Sequence, residues 1–224
     1  MKESWWIAGD GSMKNIGEAI ENVIKRILKD YMENEKKYTT EGDAVAYLFS
    51  ELIEVFKQNN IIVHSQVRPF SYKIINGKIS NEKIIKRGKW KKQNRANEGN
   101  IIDLAIITPG KNYEYWKIAL KKAKKDQYKD KYEDKKQLKY WRILSYPIEA
   151  FLSAIEVKVR VKGNKGRILD DIKTLYCLKN KNPKVLTYIL ILDKCAPKEM
   201  LQDIKQKAKE KEVRLYAAAY CLSS

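Results

Sequence analysis

Residues 150–160 read Ala-Phe-Leu-Ser-Ala-Ile-Glu-Val-Lys-Val-Arg, and their alternation decides how this chain is organised. Side chains along a β-strand point to opposite faces in turn. Ile155, Val157 and Val159 therefore share one face, while Glu156 and Lys158 share the other. One face is core; the opposite face presents an acid and an amine together. Residues 100–108, Asn-Ile-Ile-Asp-Leu-Ala-Ile-Ile-Thr, form a second apolar run, stopped by Pro109-Gly110. Such a run reads as a strand buried on both faces. Asp103 stands in its middle. A carboxylate there is costly unless it is paired or bound to a cation, or its pKa is raised.

The rest of the chain supplies helices for these strands. Ile16, Ile20, Val23, Ile24, Ile27, Leu28 and Tyr31 recur at helical spacing, which predicts an amphipathic helix over 13–37. Val45, Leu48, Phe49, Leu52 and Phe56 mark a second helix over 41–58. Thr40 followed by Asp43 resembles a capping box. A strand is expected over 61–68, closed by Pro69, and Asn76-Gly77 is a hairpin turn signal. Residues 113–144 read as mostly helical and heavily basic. After the strand at 150–160, a loop at 162–166 leads to a helix over 168–180. A buried strand at 185–192, a helix at 197–211 and a strand from Val213 to Tyr220 close the chain. This alternation predicts an α/β fold: a three-layer sandwich whose mixed central sheet is flanked by helices, with a basic helical insertion at about 111–147. Residues 1–39 are expected to be a helical segment packed on the core of an α/β domain over 40–224.

Composition narrows the chemistry. The 224 residues include 46 Lys and Arg against 28 Asp and Glu, a net charge of +18. That excess favours a polyanionic partner, nucleic acid or an acidic membrane face. Residues 71–140 hold 20 basic and 8 acidic residues, so two thirds of the excess lies in less than a third of the chain. A single histidine, His64, excludes multi-histidine zinc sites. Cys177, Cys195 and Cys221 are an odd, widely spaced set; they read as small buried hydrophobes, and a reducing cytoplasm is the expected location. No apolar run reaches the ~18 residues of a membrane span, and without a basic amphipathic anchor that has a clean apolar face no membrane partner is expected.

The pattern Asp, a long gap, then Glu-x-Lys on the next apolar strand resembles the PD-(D/E)xK, or restriction-endonuclease-like, nuclease superfamily. The matching residues are Asp103 in Asn-Ile-Ile-Asp-Leu and Glu156 and Lys158 in Ile-Glu-Val-Lys-Val. The family often carries a further acid on the helix before its first core strand. Glu41 shares a helical face with Val45, Leu48 and Leu52, so it is expected to point toward the sheet. Ile102 stands where the family's name has proline, and the gap from Asp103 to Glu156 is 53 residues, long enough to hold an insertion.

The resemblance implies a metal-dependent endonuclease acting on nucleic acid, DNA foremost. Asp103, Glu156 and the Val157 carbonyl would bind Mg²⁺ or Mn²⁺, and Glu41 would hold a second metal or a water. Lys158 would orient the attacking water. The competing function is a catalytically inactive nucleic-acid-binding protein on the same fold; a homodimer is left open. Two basic clusters suit phosphate contacts and ring stacking. One is Arg87, Lys89, Lys91 and Lys92 around Trp90, expected in a loop. The other is Lys121, Lys122, Lys124 and Lys125, interleaved with Tyr and Trp in the insertion, with a plain solvated helix as its alternative. Structural roles also stand open for the site residues. Glu156 and Lys158 suit a same-face pair on an exposed sheet side, Asp103 a strand-end residue bonded to a loop, and Glu41 an acid favoured by the helix dipole. His64 and Gln66 could face the site from the adjoining strand, with a satisfied structural residue as the favoured reading of His64.

Overall fold

A computed structural model of the chain describes residues 10–57, 61–75, 78–92, 100–107, 144–161 and 163–219. Helix α1 spans Asp10–Glu33 and is followed by a 3-10 turn, Glu35–Lys37. Helix α2 spans Glu41–Phe56. Its start is fixed by the capping box read from the sequence. Thr40 Oγ1 accepts from the Asp43 N–H at 3.1 Å, and the Thr40 N–H donates to Asp43 Oδ2 at 2.8 Å.

Among the described residues eight strands follow: β1 Ile62–Ile75, β2 Lys78–Lys86, β3 Lys89–Lys92, β4 Ile102–Ile107, β5 Leu144–Pro147, β6 Phe151–Val159, β7 Leu186–Leu192 and β8 Arg214–Ala217. Helix α3, Lys165–Lys181, crosses from β6 to β7, and helix α4, Lys198–Glu210, from β7 to β8. The strands make one sheet in the order β3-β2-β1-β4-β6-β7-β8, with β5 also paired to β1. Strands β1 to β4 and β6 pair antiparallel along this order, whereas β6, β7 and β8 run parallel, as helical crossovers require. The sheet is thus mixed.

Each face is covered. Ile20, Ile24 and Ile27 of α1 and Leu48 and Leu52 of α2 pack on Leu104, Ile155, Val157 and Leu190. On the other face, Ile168, Ile172 and Leu175 of α3 and Leu201 and Ile204 of α4 pack on Ala105, Ala154, Ile189 and Ile191. Strands β4, β6 and β7 are therefore buried on both sides, which is why they read as apolar runs. The three-layer α/β arrangement with a mixed central sheet is the one expected.

Several expectations need correction. Pro69 does not close its strand, because β1 runs on to Ile75. The ladder to β4 ends at Val67–Ile102, and the ladder to β2 begins at Phe70–Ile84. Pro69 falls between these two antiparallel ladders and is level with Tyr146 of β5. Ile75 pairs with Lys78, and the turn expected at Asn76-Gly77 lies outside the described residues. The basic insertion does not reach 147, since Leu144–Pro147 is a strand parallel to β1. Lys121, Lys122, Lys124 and Lys125 lie outside the described residues. The cluster from Arg87 to Lys92 is no loop; it forms the turn and second strand of the β2–β3 hairpin. Helix α3 starts at Lys165, and β8 stops at Ala217. Cys177 is buried as expected, but Cys195 is exposed, and Cys221 lies outside the described residues. Among the described residues, no helix is long and apolar enough to cross a membrane.

Candidate active site

Asp103, Glu156 and Lys158 are brought together by the pairing of β4 with β6. That ladder runs from Ile107–Phe151 to Leu104–Ile155. One residue further, Asp103 comes level with Glu156, and its Oδ2 accepts the Val157 N–H at 2.8 Å. The carboxylate thus takes over as acceptor where the backbone ladder stops. Asp103 does bond to backbone, but to a neighbouring strand rather than to a loop.

Glu156 is 3% exposed, which removes the reading of an exposed surface pair. Lys158 reaches from the next same-face position of β6 into a ring of acids. Its Nζ lies 3.3 Å from Asp171 Oδ2, 3.8 Å from Asp103 Oδ2, 3.8 Å from Glu41 Oε2 and 3.9 Å from Glu156 Oε2. It also donates to the Val157 carbonyl at 3.1 Å. Glu41, the first residue of α2, reaches this group from the other helical layer and stays half exposed. The capped start of α2 sets where its side chain begins.

Asp171 is the member that sequence reasoning missed. It lies on α3, one turn from Ile168 and one turn from Leu175, both fully buried. The signal was present: Ile168, Asp171, Leu175 and Leu178 follow i, i+3, i+7, i+10, an acid inside an apolar stripe.

The electrostatics follow from crowding acids in a dry place. Burial, then the charges of Asp103 and Asp171, push the Glu156 carboxyl well above the usual range. Burial raises Asp171 to about 6, against the opposing pull of Lys158. Burial alone would favour a neutral Lys158, but Asp103, Glu156, Asp171 and Glu41 outweigh it and hold the ammonium charged above its ordinary value. Among the described residues, no group of three or more His, Cys, Asp or Glu side chains is closed around one point as a metal requires. The Lys158 ammonium occupies the middle instead. The atoms around it are hard oxygens, the donor type of Mg²⁺ and Mn²⁺, and they already enclose a cation. In donor chemistry, though not in a closed geometry, these residues suit such an ion.

Gln66 falls between the β1–β4 pairs Ser65–Leu104 and Val67–Ile102, level with Asp103, and has a positive φ of 57°. His64 packs its ring 5.3 Å from that of Tyr146, and burial lowers its pKa. Arg87, Lys89 and Lys91 are not in the acidic group, and Trp90 and Lys92 lie along β3 beside them. Their hairpin is nevertheless fastened to the helix that carries Asp171. Asn100 Oδ1 accepts the Arg87 N–H at 3.3 Å, and its amide donates to Thr174 Oγ1 on α3.

No family model matches the chain, and no curated protein matches it. Among solved structures, P. aeruginosa NucC in its cAAA-bound form is similar over 96% of this chain and 78% of its own, at 8% identity and a TM-score of 0.40.

Proposed function

We propose that the chain is a metal-dependent nuclease that hydrolyses phosphodiester bonds, DNA being the expected substrate. The observation that carries this reading is the convergence of Glu41, Asp103, Glu156 and Asp171 on one lysine at the end of two buried strands. Buried carboxylates that repel one another are costly to keep for packing alone. They are useful where a cation and a phosphate must be held.

In this reading Asp103, Glu156 and the Val157 carbonyl hold Mg²⁺ or Mn²⁺, with Glu41 and Asp171 beside them. When bound, the ion supplies Lewis-acid polarisation of the scissile phosphate. Lys158 then has two tasks: it orients the attacking water and places positive charge where the phosphate gains negative charge. The Val157 N–H keeps the Asp103 carboxylate aimed, and the packing of β4 and β6 keeps bulk water from Glu156.

A second reading is a nucleic-acid-binding protein that does not cut. It draws on the position of Lys158, whose ammonium sits amid the acids as their counterion. Labelled duplex, branched and single-stranded substrates incubated with Mg²⁺, Mn²⁺ or EDTA separate the two readings. Cutting that needs the divalent ion is the expected result. Binding without cutting, under every metal condition, would leave the second reading. Lys158→Ala and Asp103→Ala are each expected to lose cleavage by about a hundredfold or more while keeping the far-UV spectrum of the wild type.

A further inference from the structure

An open cleft of about 540 Å³ lies at the carboxyl ends of β6 and β7. It is lined by Glu33, Glu35, Lys36 and Lys37 from the end of α1 and the turn after it, and by Arg160 and Lys194 from the sheet. Four cations thus face two acids.

The cleft is built rather than incidental. Asp193 is buried, and its two oxygens accept the Val161 N–H at 2.8 Å and the Cys195 N–H at 2.9 Å. This clamp joins the exit of β6 to the exit of β7, and it sets the residues next to it, Arg160 and Lys194. Lys194 is held further by the Met32 carbonyl at 2.9 Å and by Glu35 at 3.5 Å. Arg160 has a positive φ of 53°, a conformation that non-glycine residues adopt at a cost and that clusters where function imposes it. The side chains of Arg160 and Lys36 form no ion pair with any described residue. Lys37 bonds Asp30 at 3.0 Å, on the rim.

The cleft is joined to the acidic site through two short stretches of chain. Arg160 is two residues beyond Lys158, about 7 Å along an extended chain. That is about the axial rise of two nucleotides in duplex DNA. From the other side, Lys37 is four residues before Glu41. A polymer with phosphates at regular intervals, seated with one at Lys158, would place the next ones here.

We infer that this cleft is a backbone-binding subsite that receives phosphodiester groups of the substrate strand beyond the scissile one, with Arg160 and Lys36 as its free cations. The inference rests on the nuclease reading for its polymer substrate, but it makes a binding claim of its own. Binding of a labelled DNA duplex to the full chain in EDTA, over a salt series, tests it without cleavage. The Arg160→Ala/Lys36→Ala double variant should bind about tenfold more weakly, with a salt slope shallower by about two. Lys209→Ala, on the exposed side of α4, should change neither. Lys36→Glu alone provides the same readout should the double variant fail to fold. Wild-type affinity and slope in these variants would overturn the subsite, even if the wild type cuts with Mg²⁺. Weakened binding in them, alongside a wild type that cuts under no metal condition, would keep the subsite and remove the nuclease reading.

Discussion

Asp171 bears the nearest carboxylate to Lys158, and it sits on a crossover helix rather than on either strand. If it steadies that ammonium for catalysis, Asp171→Asn should slow cleavage by about 10–100-fold, the usual cost of losing an outer-shell partner. Its melting temperature should not fall, because removing one of several crowded acids relieves repulsion. A rate equal to the wild type would reduce Asp171 to a counterion. Glu156 and Lys158 were legible in the sequence because strand alternation is strict, and Asp103 because an acid in an apolar run is anomalous. Asp171 was not, since a polar residue in an amphipathic helix looks ordinary until the apolar stripe is counted around it. Glu41 was legible by the same count on α2. Arg160 carried no sign at all: its position past the end of a strand depends on a backbone turn that residue types do not encode.

At the level of elements, two backbone devices hold the site in place, and each predicts a cost. Gly88 sits in the β2–β3 turn with φ +68°, where an added Cβ would come 2.6 Å from Lys173 Cβ on α3. Gly88→Ala should destabilise the protein by about 1–3 kcal/mol, read by chemical denaturation, because both conformation and space are denied. An unchanged midpoint would mean that the hairpin does not rest on α3. Thr40→Ala removes the cap of α2 and should cost about 1 kcal/mol. It should also lower cleavage, since Glu41 is the next residue. The helices and buried strands were legible from periodicity and apolar runs. The continuation of β1 through Pro69 was not, because it depends on the change of partner strands around the proline, from β4 to β5 and β2. Strand β5 was hidden in the same way: it is made by pairing with β1, not by any pattern of its own.

For the whole molecule, the charge of +18 sets how the chain meets a polyanion. Affinity for nucleic acid should fall linearly with salt on a log–log scale, with a slope of about −0.9 for each duplex phosphate contacted. A flat response would mean that the basic residues are only a solvated surface. Composition pointed to this partner class, which the salt series tests, and the three-layer fold followed from the order of elements. The joining of two helical layers at one acidic pocket was not legible, because Glu41 and Asp171 approach the sheet from opposite sides. The most direct measurement is the single-turnover cleavage rate of end-labelled duplex DNA with Mg²⁺, for the wild type beside Lys158→Ala and Asp103→Ala. The account predicts cutting by the wild type that EDTA abolishes and that both variants lack. Equal cutting by either variant would contradict it.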